Sequence, residues 1–442
     1  MSVAARYLEA IRTTSMHARC GRLLACDGII LEAQGPEASL GELCEVRDAS
    51  SGEPVKAQVV GFRDGRVVLM PLGEMRQISM KAHIRALGQR LGIPVGNTLL
   101  GRVVDAFGRP IDGKGAVFCA DEAPLYREPI NPLHRREIDT VMETGVRSID
   151  AFLTMGQGQR VGIFAGSGVG KSTLLGMLTA HAQADVIVVA LIGERGREVG
   201  DFIANTLKQE GLARSVVIAA TADQSPLARV HAVYAAHAVS EYFRDRGKHV
   251  LLILDSMTRY AMAQREIGIA AGEPPTARGY PPSVFTQLPR FLERCGNVRG
   301  GGSISAVYSI LVEGDDMNEP VADHMRAILD GHIVLSREVA DRGQFPAVDV
   351  LRSISRLMPR LATREENDLA RDARALFATY ERARDLISMG AYQPGHDAIL
   401  DRAVKLVPEL QRFLVQAPDQ CVSRSESMAW LGRIIRTEAT MA

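Results

Sequence analysis

A chain of 442 residues is too long for one ordinary domain and fits two to four. Hydrophobic residues make up 46% and charged residues 24%, a globular balance that excludes a disordered chain. The 52 basic and 52 acidic residues cancel, so net charge offers no case for a nucleic-acid partner.

Residues 1–18 read either as a short amphipathic helix, with Tyr7, Leu8 and Ile11 on one side, or as a frayed terminus. A helix that does not pack on its own chain is a docking arm. No apolar run around Arg6, Glu9 and Arg12 suits a signal peptide, and no stretch of about 20 apolar residues is present to span a membrane. Peripheral attachment to a membrane machine stays open. Cys20, Cys26, Cys44, Cys119, Cys295 and Cys421 contain no C-x-x-C pair and read as reduced thiols of a cytosolic protein.

From about residue 20 to 90, Leu43–Val46, Val55–Phe62 and Val67–Leu72 read as short strands. Asp64-Gly65 tolerates the positive φ values of a tight hairpin turn. Several short strands in so small a region predict a barrel or a sandwich. From about 95 to 360, aliphatic runs alternate with helical stretches. Val161–Phe164, Val186–Ile192, Val216–Ala220, Val250–Leu254 and Ser305–Leu311 predict buried strands of a largely parallel sheet covered by helices on both faces.

Within that region, Ala165-Gly166-Ser167-Gly168-Val169-Gly170-Lys171-Ser172 has the form of a P-loop. It follows a predicted strand and precedes the helical run Ser172–Leu178, the context the motif requires. Glycines let the backbone wrap closely around phosphate and turn its N–H groups inward. The helix N-terminus that follows favours anions. Lys171 is placed to reach the β- and γ-phosphates of ATP, and Ser172 to give its hydroxyl to Mg²⁺. Thr173 closes the nucleotide-binding run, although its plainest role is that of a helix residue that packs or caps.

Asp255 ends the aliphatic run Val250–Leu254, so its carboxylate belongs at the carboxyl edge of the sheet, where it can hold Mg²⁺, usually through water. Hydrolysis also needs a group that orients water. Glu194 follows Val186–Ile192 and meets that need, as do Glu198 and Asp223 on the same reasoning. Arg195 and Arg197 lie close by implication. After about residue 365 the strand-like runs stop. Glu365–Met389, Asp397–Gln416 and Ser425–Glu438 predict helices, punctuated by Gly390, Pro394, Gly395 and Pro418.

Longer motifs carry a resemblance. They include Leu100-Gly101-Arg102-Val103-Val104-Asp105-Ala106-Phe107-Gly108, Gly193-Glu194-Arg195-Gly196-Arg197-Glu198 and Asp223-Gln224-Ser225-Pro226. They continue through Gly272-Glu273-Pro274-Pro275, Gly279-Tyr280-Pro281-Pro282-Ser283-Val284-Phe285 and Glu313 to Pro320, and end at Ile328-Leu329-Asp330-Gly331-His332. With the P-loop, these make the chain resemble, over essentially its whole length, the catalytic ATPases of bacterial type III protein export. Those serve flagella and virulence injectisomes and are related to the catalytic β subunit of rotary ATP synthases.

The resemblance implies an α/β fold with a RecA-like P-loop ATPase core, a small N-terminal β-barrel and a C-terminal helical domain. On that pattern residues 1–18 dock a stator-like regulatory subunit, 19–90 form the barrel, 91–364 the ATPase core and 365–442 the helical domain. Glu194 matches the family's catalytic glutamate, Arg195 the arginine beside it near the γ-phosphate, and Arg356 the arginine finger supplied by the neighbouring subunit. The family further implies a homohexamer, a central stalk protein, an export gate, and secretion chaperones with their substrates as partners. It places the protein in the cytoplasm, peripheral to the inner-membrane export apparatus. Residues 313–320 resemble the segment near the hexamer pore. Two rivals share the core chemistry: a rotary proton-translocating synthase subunit and an RNA-dependent hexameric motor.

Overall fold

The computed structural model describes residues 18–48, 54–73, 78–312, 314 and 316–436. The expected docking segment therefore lies, but for Ala18, outside the described residues, as do Glu313 and Asp315 of the expected pore segment and the end of the last predicted helix.

Six strands close into a barrel in the order Cys20–Asp27, Ile30–Gln34, Arg66–Pro71, Val55–Arg63, Glu42–Arg47, His83–Arg90. Closure decides for the barrel over the sandwich. Its interior is apolar, with Leu31, Cys44, Ala57, Leu69 and Ile84 fully buried. The predicted hairpin turn is present: Arg63 pairs with Arg66, and Asp64 and Gly65 take φ of 49° and 73°. Three strands escaped the sequence reading because their outward residues are polar. In His83–Arg90 only Ile84 and Ala86 are buried, too sparse an alternation to stand out.

The core is a nine-stranded sheet. Its main path runs Ile354–Ser355, Gly331–Leu335, Arg160–Ala165, Ser303–Leu311, His249–Asp255, Val186–Ile192, Ser215–Ala220, Arg102–Val104. The interior pairings are parallel, and Ile354–Ser355 adds an antiparallel edge. Each strand of such a sheet must bury both faces, which explains its unbroken aliphatic runs. Val186–Ile192 makes the division visible. Val186, Val188, Ala190 and Ile192 join the core beneath helices Pro226–Arg244 and Met257–Ala270. Ile187, Val189 and Leu191 face the other way, into the core shared with helix Lys171–His181.

That second core extends into the C-terminal helices Arg364–Ser388, Ala398–Leu414 and Arg424–Arg436. Phe152 packs edge-on against Phe377 and Phe413, with ring centroids 6.4 and 6.3 Å apart. The helical domain thus shares its apolar core with the P-loop side of the sheet. The barrel docks by polar contacts as well: His231 Nε2 lies 2.9 Å from Gln58 Oε1, and Arg63 donates to the Ala270 carbonyl at 3.1 Å. Among the described residues, no helix is long and apolar enough to cross a membrane.

Candidate active site at the carboxyl edge of the sheet

Strand Arg160–Ala165 lies between Ser303–Leu311 and Gly331–Leu335 and delivers the chain into residues 166–170. Gly168 and Gly170 take φ of 78° and 87°, a left-handed conformation in which a side chain would be strained. The loop then turns into helix Lys171–His181, and Leu174 N–H donates to the Gly170 carbonyl at 3.0 Å. A cleft of about 700 Å³ opens here. Its lining includes Gly166, Ser167, Gly168, Gly170, Lys171 and Ser172. Val169 is buried and anchors the loop from below. Thr173 is exposed on the cleft wall, so it does not serve as the packed residue that its plainest reading suggested.

Neighbouring strands bring the carboxylates to the same edge. Asp255 ends His249–Asp255 with its side chain 5% exposed. It accepts hydrogen bonds from the Lys171 ammonium and from the Ser309 hydroxyl. Glu194 follows Val186–Ile192 through Gly193, and its Oε1 lies 3.5 Å from Lys171 Nζ. Burial pushes the Glu194 carboxyl up to about 7, opposed by the Lys171 charge and reinforced by Asp255 and by a hydrogen bond with Glu198. Glu198 moves the other way, lowered chiefly by that shared hydrogen bond. A half-buried carboxyl that titrates near neutrality beside a phosphate loop can take up and release a proton under working conditions.

Gly193 is the hinge of this arrangement. Its φ is 69°, and a Cβ there would lie 2.9 Å from Arg259 Cβ. Arg195 lines the cleft with its side chain 76% exposed, 3.9 Å from Glu198 Oε1. Of the three carboxylates weighed for orienting water, Glu194 and Glu198 line the cleft, while Asp223 is exposed outside it, beyond Ala222. Arg356 is not brought to its own chain's cleft. It follows the edge strand Ile354–Ser355, is exposed, and donates to the Arg326 carbonyl at 3.2 Å.

The cleft also contains residues that sequence reasoning missed. Arg259 lines it from the first turn of helix Met257–Ala270, and its Nε is buried without a hydrogen-bond partner. Its signal was available: a helix that starts directly after Asp255 must present its first turn to the phosphates. Arg337 donates to the Ser167 carbonyl at 3.1 Å. Phe345, 45% exposed, sets its ring beside Gly170. Neither had a signal, because strand Gly331–Leu335 was not recognised. Ser309 was read only as part of a buried strand.

Three family models match the chain. Residues 25–88 match the beta-barrel domain of the ATP synthase alpha/beta family. Residues 145–355 match that family's nucleotide-binding domain, and 362–433 the T3SS EscN ATPase C-terminal domain. The flagellum-specific ATP synthase of Bacillus subtilis (strain 168) is 49% identical over 98% of both chains. The type 3 secretion system ATPase of Xanthomonas euvesicatoria is 47% identical over 93% of this chain and 92% of its own. The assembled ATPase EscN of the enteropathogenic E. coli type III secretion system is 42% identical, covers 94% of this chain and 100% of its own, and superposes with a TM-score of 0.89. EscN in complex with its central stalk EscO superposes at 0.86 over the same shares, again with 42% identity. From barrel to C-terminal helices, the chain belongs to the ATP-hydrolysing enzymes of flagellar and type III secretion, within the ATP synthase alpha/beta family.

Proposed function

We propose that this ATPase works as a homohexamer whose active sites lie between subunits, and that it energises type III export by releasing chaperones from, and unfolding, proteins at the export gate. The observation that carries the reading is that Lys171 and Glu194 line one cleft, with Asp255 buried behind Lys171 and bonded to it and Arg356 exposed at the far edge of the same sheet. An assembled relative and a relative bound to a central stalk support the ring and a stalk partner. Residues 1–18 are assigned to a stator-like regulatory subunit, with 19–90 as the barrel, 91–364 as the ATPase core and 365–442 as the substrate-facing domain. The protein then acts in the cytoplasm, peripheral to the inner membrane.

In the reaction, ATP and water give ADP and phosphate by in-line attack without a covalent intermediate. The amides of residues 166–170 and the Lys171 ammonium hold the triphosphate. The half-buried Glu194 carboxylate orients the attacking water and accepts its proton. Arg195 and Arg259 add positive charge near the terminal phosphate, and Arg356 of a neighbouring subunit offsets charge developing in the transition state. Phe345 offers a flat apolar face for the base beside Gly170. Ser172 and Asp255 are the oxygen donors that fit Mg²⁺, which takes one or two protein oxygens and fills its shell with phosphate and water. That small donor set agrees with the lack of any three-carboxylate cluster among the described residues. When bound, Mg²⁺ neutralises charge on the phosphates.

Subunit mixing tests the reading. Glu194→Gln and Arg356→Ala should each lose nearly all turnover, and their mixed oligomers should recover part of it. Mixed oligomers that form and stay inactive would refute a shared site.

A further inference from the structure

The segment Arg337–Phe345 contacts the phosphate loop at one end and approaches it closely at the other. Arg337 Nη2 donates to the Ser167 carbonyl at 3.1 Å. At the other end, a Cβ built on Gly170 would lie 3.6 Å from the Phe345 ring. Between them, helix Arg337–Asp341 and the left-handed Gly343, with φ of 77°, fold the segment back on itself. The same segment is fastened to the C-terminal helices. Arg342 reaches Glu381 on helix Arg364–Ser388 with contacts of 2.7 and 3.5 Å. The Phe345 carbonyl accepts from the Gln416 backbone N–H at 2.9 Å. Gln416 is buried, and its side chain accepts from Arg147 N–H at 2.9 Å and donates to the Gly145 carbonyl at 2.7 Å.

We propose that residues 337–345 form a strap that couples the phosphate loop to the C-terminal helical domain, with Arg337 as the positioning residue at its cleft end. The proposal rests on the cleft being the ATP site. A loop carbonyl and a loop glycine sit against one short segment, so any shift of residues 167–170 on binding phosphate bears on both ends of it. Its outer attachments are to the domain assigned to meet export substrates. A contiguous chain of contacts of this kind can carry coupling between two elements. Arg342 also lies 3.8 Å from Glu338, and Glu381 lies 3.6 Å from Arg384, so the pair sits in a small charged network. Half-exposed pairs of this kind add little to stability. Breaking this one should therefore free helix Arg364–Ser388 from the strap, whose Phe345 end stays bonded to Gln416, and leave the fold intact.

Hydrogen–deuterium exchange on the full chain, with and without Mg·AMP-PNP, reads helix Arg364–Ser388 directly. In the unaltered protein the nucleotide should slow exchange in that helix. Arg342→Ala should abolish that slowing and keep nucleotide affinity and basal turnover within about twofold. The double variant Arg342→Glu with Glu381→Arg should restore it. Arg337→Ala should uncouple the helix too, and should raise KM for ATP about five- to tenfold with kcat changed less than about threefold, whereas Arg337→Lys should recover part of the KM. Two results overturn the strap: nucleotide that binds without altering exchange in the helix, or a response that survives Arg342→Ala. An unaltered protein that binds no nucleotide at all would instead overturn the active-site reading, and the strap with it.

Discussion

The Lys171 ammonium donates to Asp255 and at the same time stands 3.5 Å from Glu194 Oε1. One cation is therefore shared by two carboxylates and, in the proposed mechanism, by the phosphates of ATP. On that mechanism, replacing it removes the charge that holds the triphosphate, and it also removes the charge that holds Glu194 down. Lys171→Ala should lower turnover by about a thousandfold or more, read as phosphate release. The residual titration of Glu194 should move upward. Normal turnover in this variant would end the account.

The pH dependence has a definite sign. Burial raises Glu194 to about 7, against about 4.3 for an unfolded glutamate. Folding thus disfavours its charged form. The stability this group contributes is complete below its unfolded value and is lost as the pH rises through the folded one. Glu194→Gln should therefore raise the thermal midpoint relative to the unaltered protein at pH 8, and change it little at pH 4. A gain equal at both values would contradict the shift. Turnover in the unaltered protein, which needs the carboxylate, should climb as the pH passes through about 7.

Gly193→Ala puts a methyl group where φ is 69° and Arg259 Cβ is 2.9 Å away. The contact is with the root of a side chain, so rotation of the guanidinium cannot relieve it. We expect a loss of about 1–3 kcal/mol in urea unfolding, together with a raised KM for ATP as Arg259 is displaced. A variant with unchanged stability would show that the backbone accommodates the methyl group freely.

Ser309→Ala removes a buried donor to the Asp255 carboxylate and leaves it the bond from Lys171. Such a loss weakens orientation by about 1–3 kcal/mol. The Mg²⁺ concentration giving half-maximal turnover should rise severalfold, and the thermal midpoint should fall by a few degrees. A magnesium titration checks this without any structural work.

Legibility in the sequence followed a physical line. The P-loop, Glu194 and Asp255 could be read because each directly follows an aliphatic strand, and that run states where the side chain emerges. Ser309 and Arg337 reach the site by another route. They depend on Ser303–Leu311 and Gly331–Leu335 flanking Arg160–Ala165, and strand order is not written in the runs themselves. Arg356 illustrates the limit. Within the described residues its side chain donates to the Arg326 carbonyl, so neither spacing nor a single subunit's geometry assigns it a chemical role. The barrel was legible where both faces are apolar and missed where half of each strand meets water.

The six N-terminal strands leave no free edge. The ring is completed where Cys20–Arg22 pairs with His83–Arg85, so the barrel presents no open sheet edge for growth by strand addition. Another molecule then meets it chiefly through side chains, a kind of contact that can be broken and remade without unravelling the backbone. Such a module can hold its place beside a moving neighbour while remaining folded.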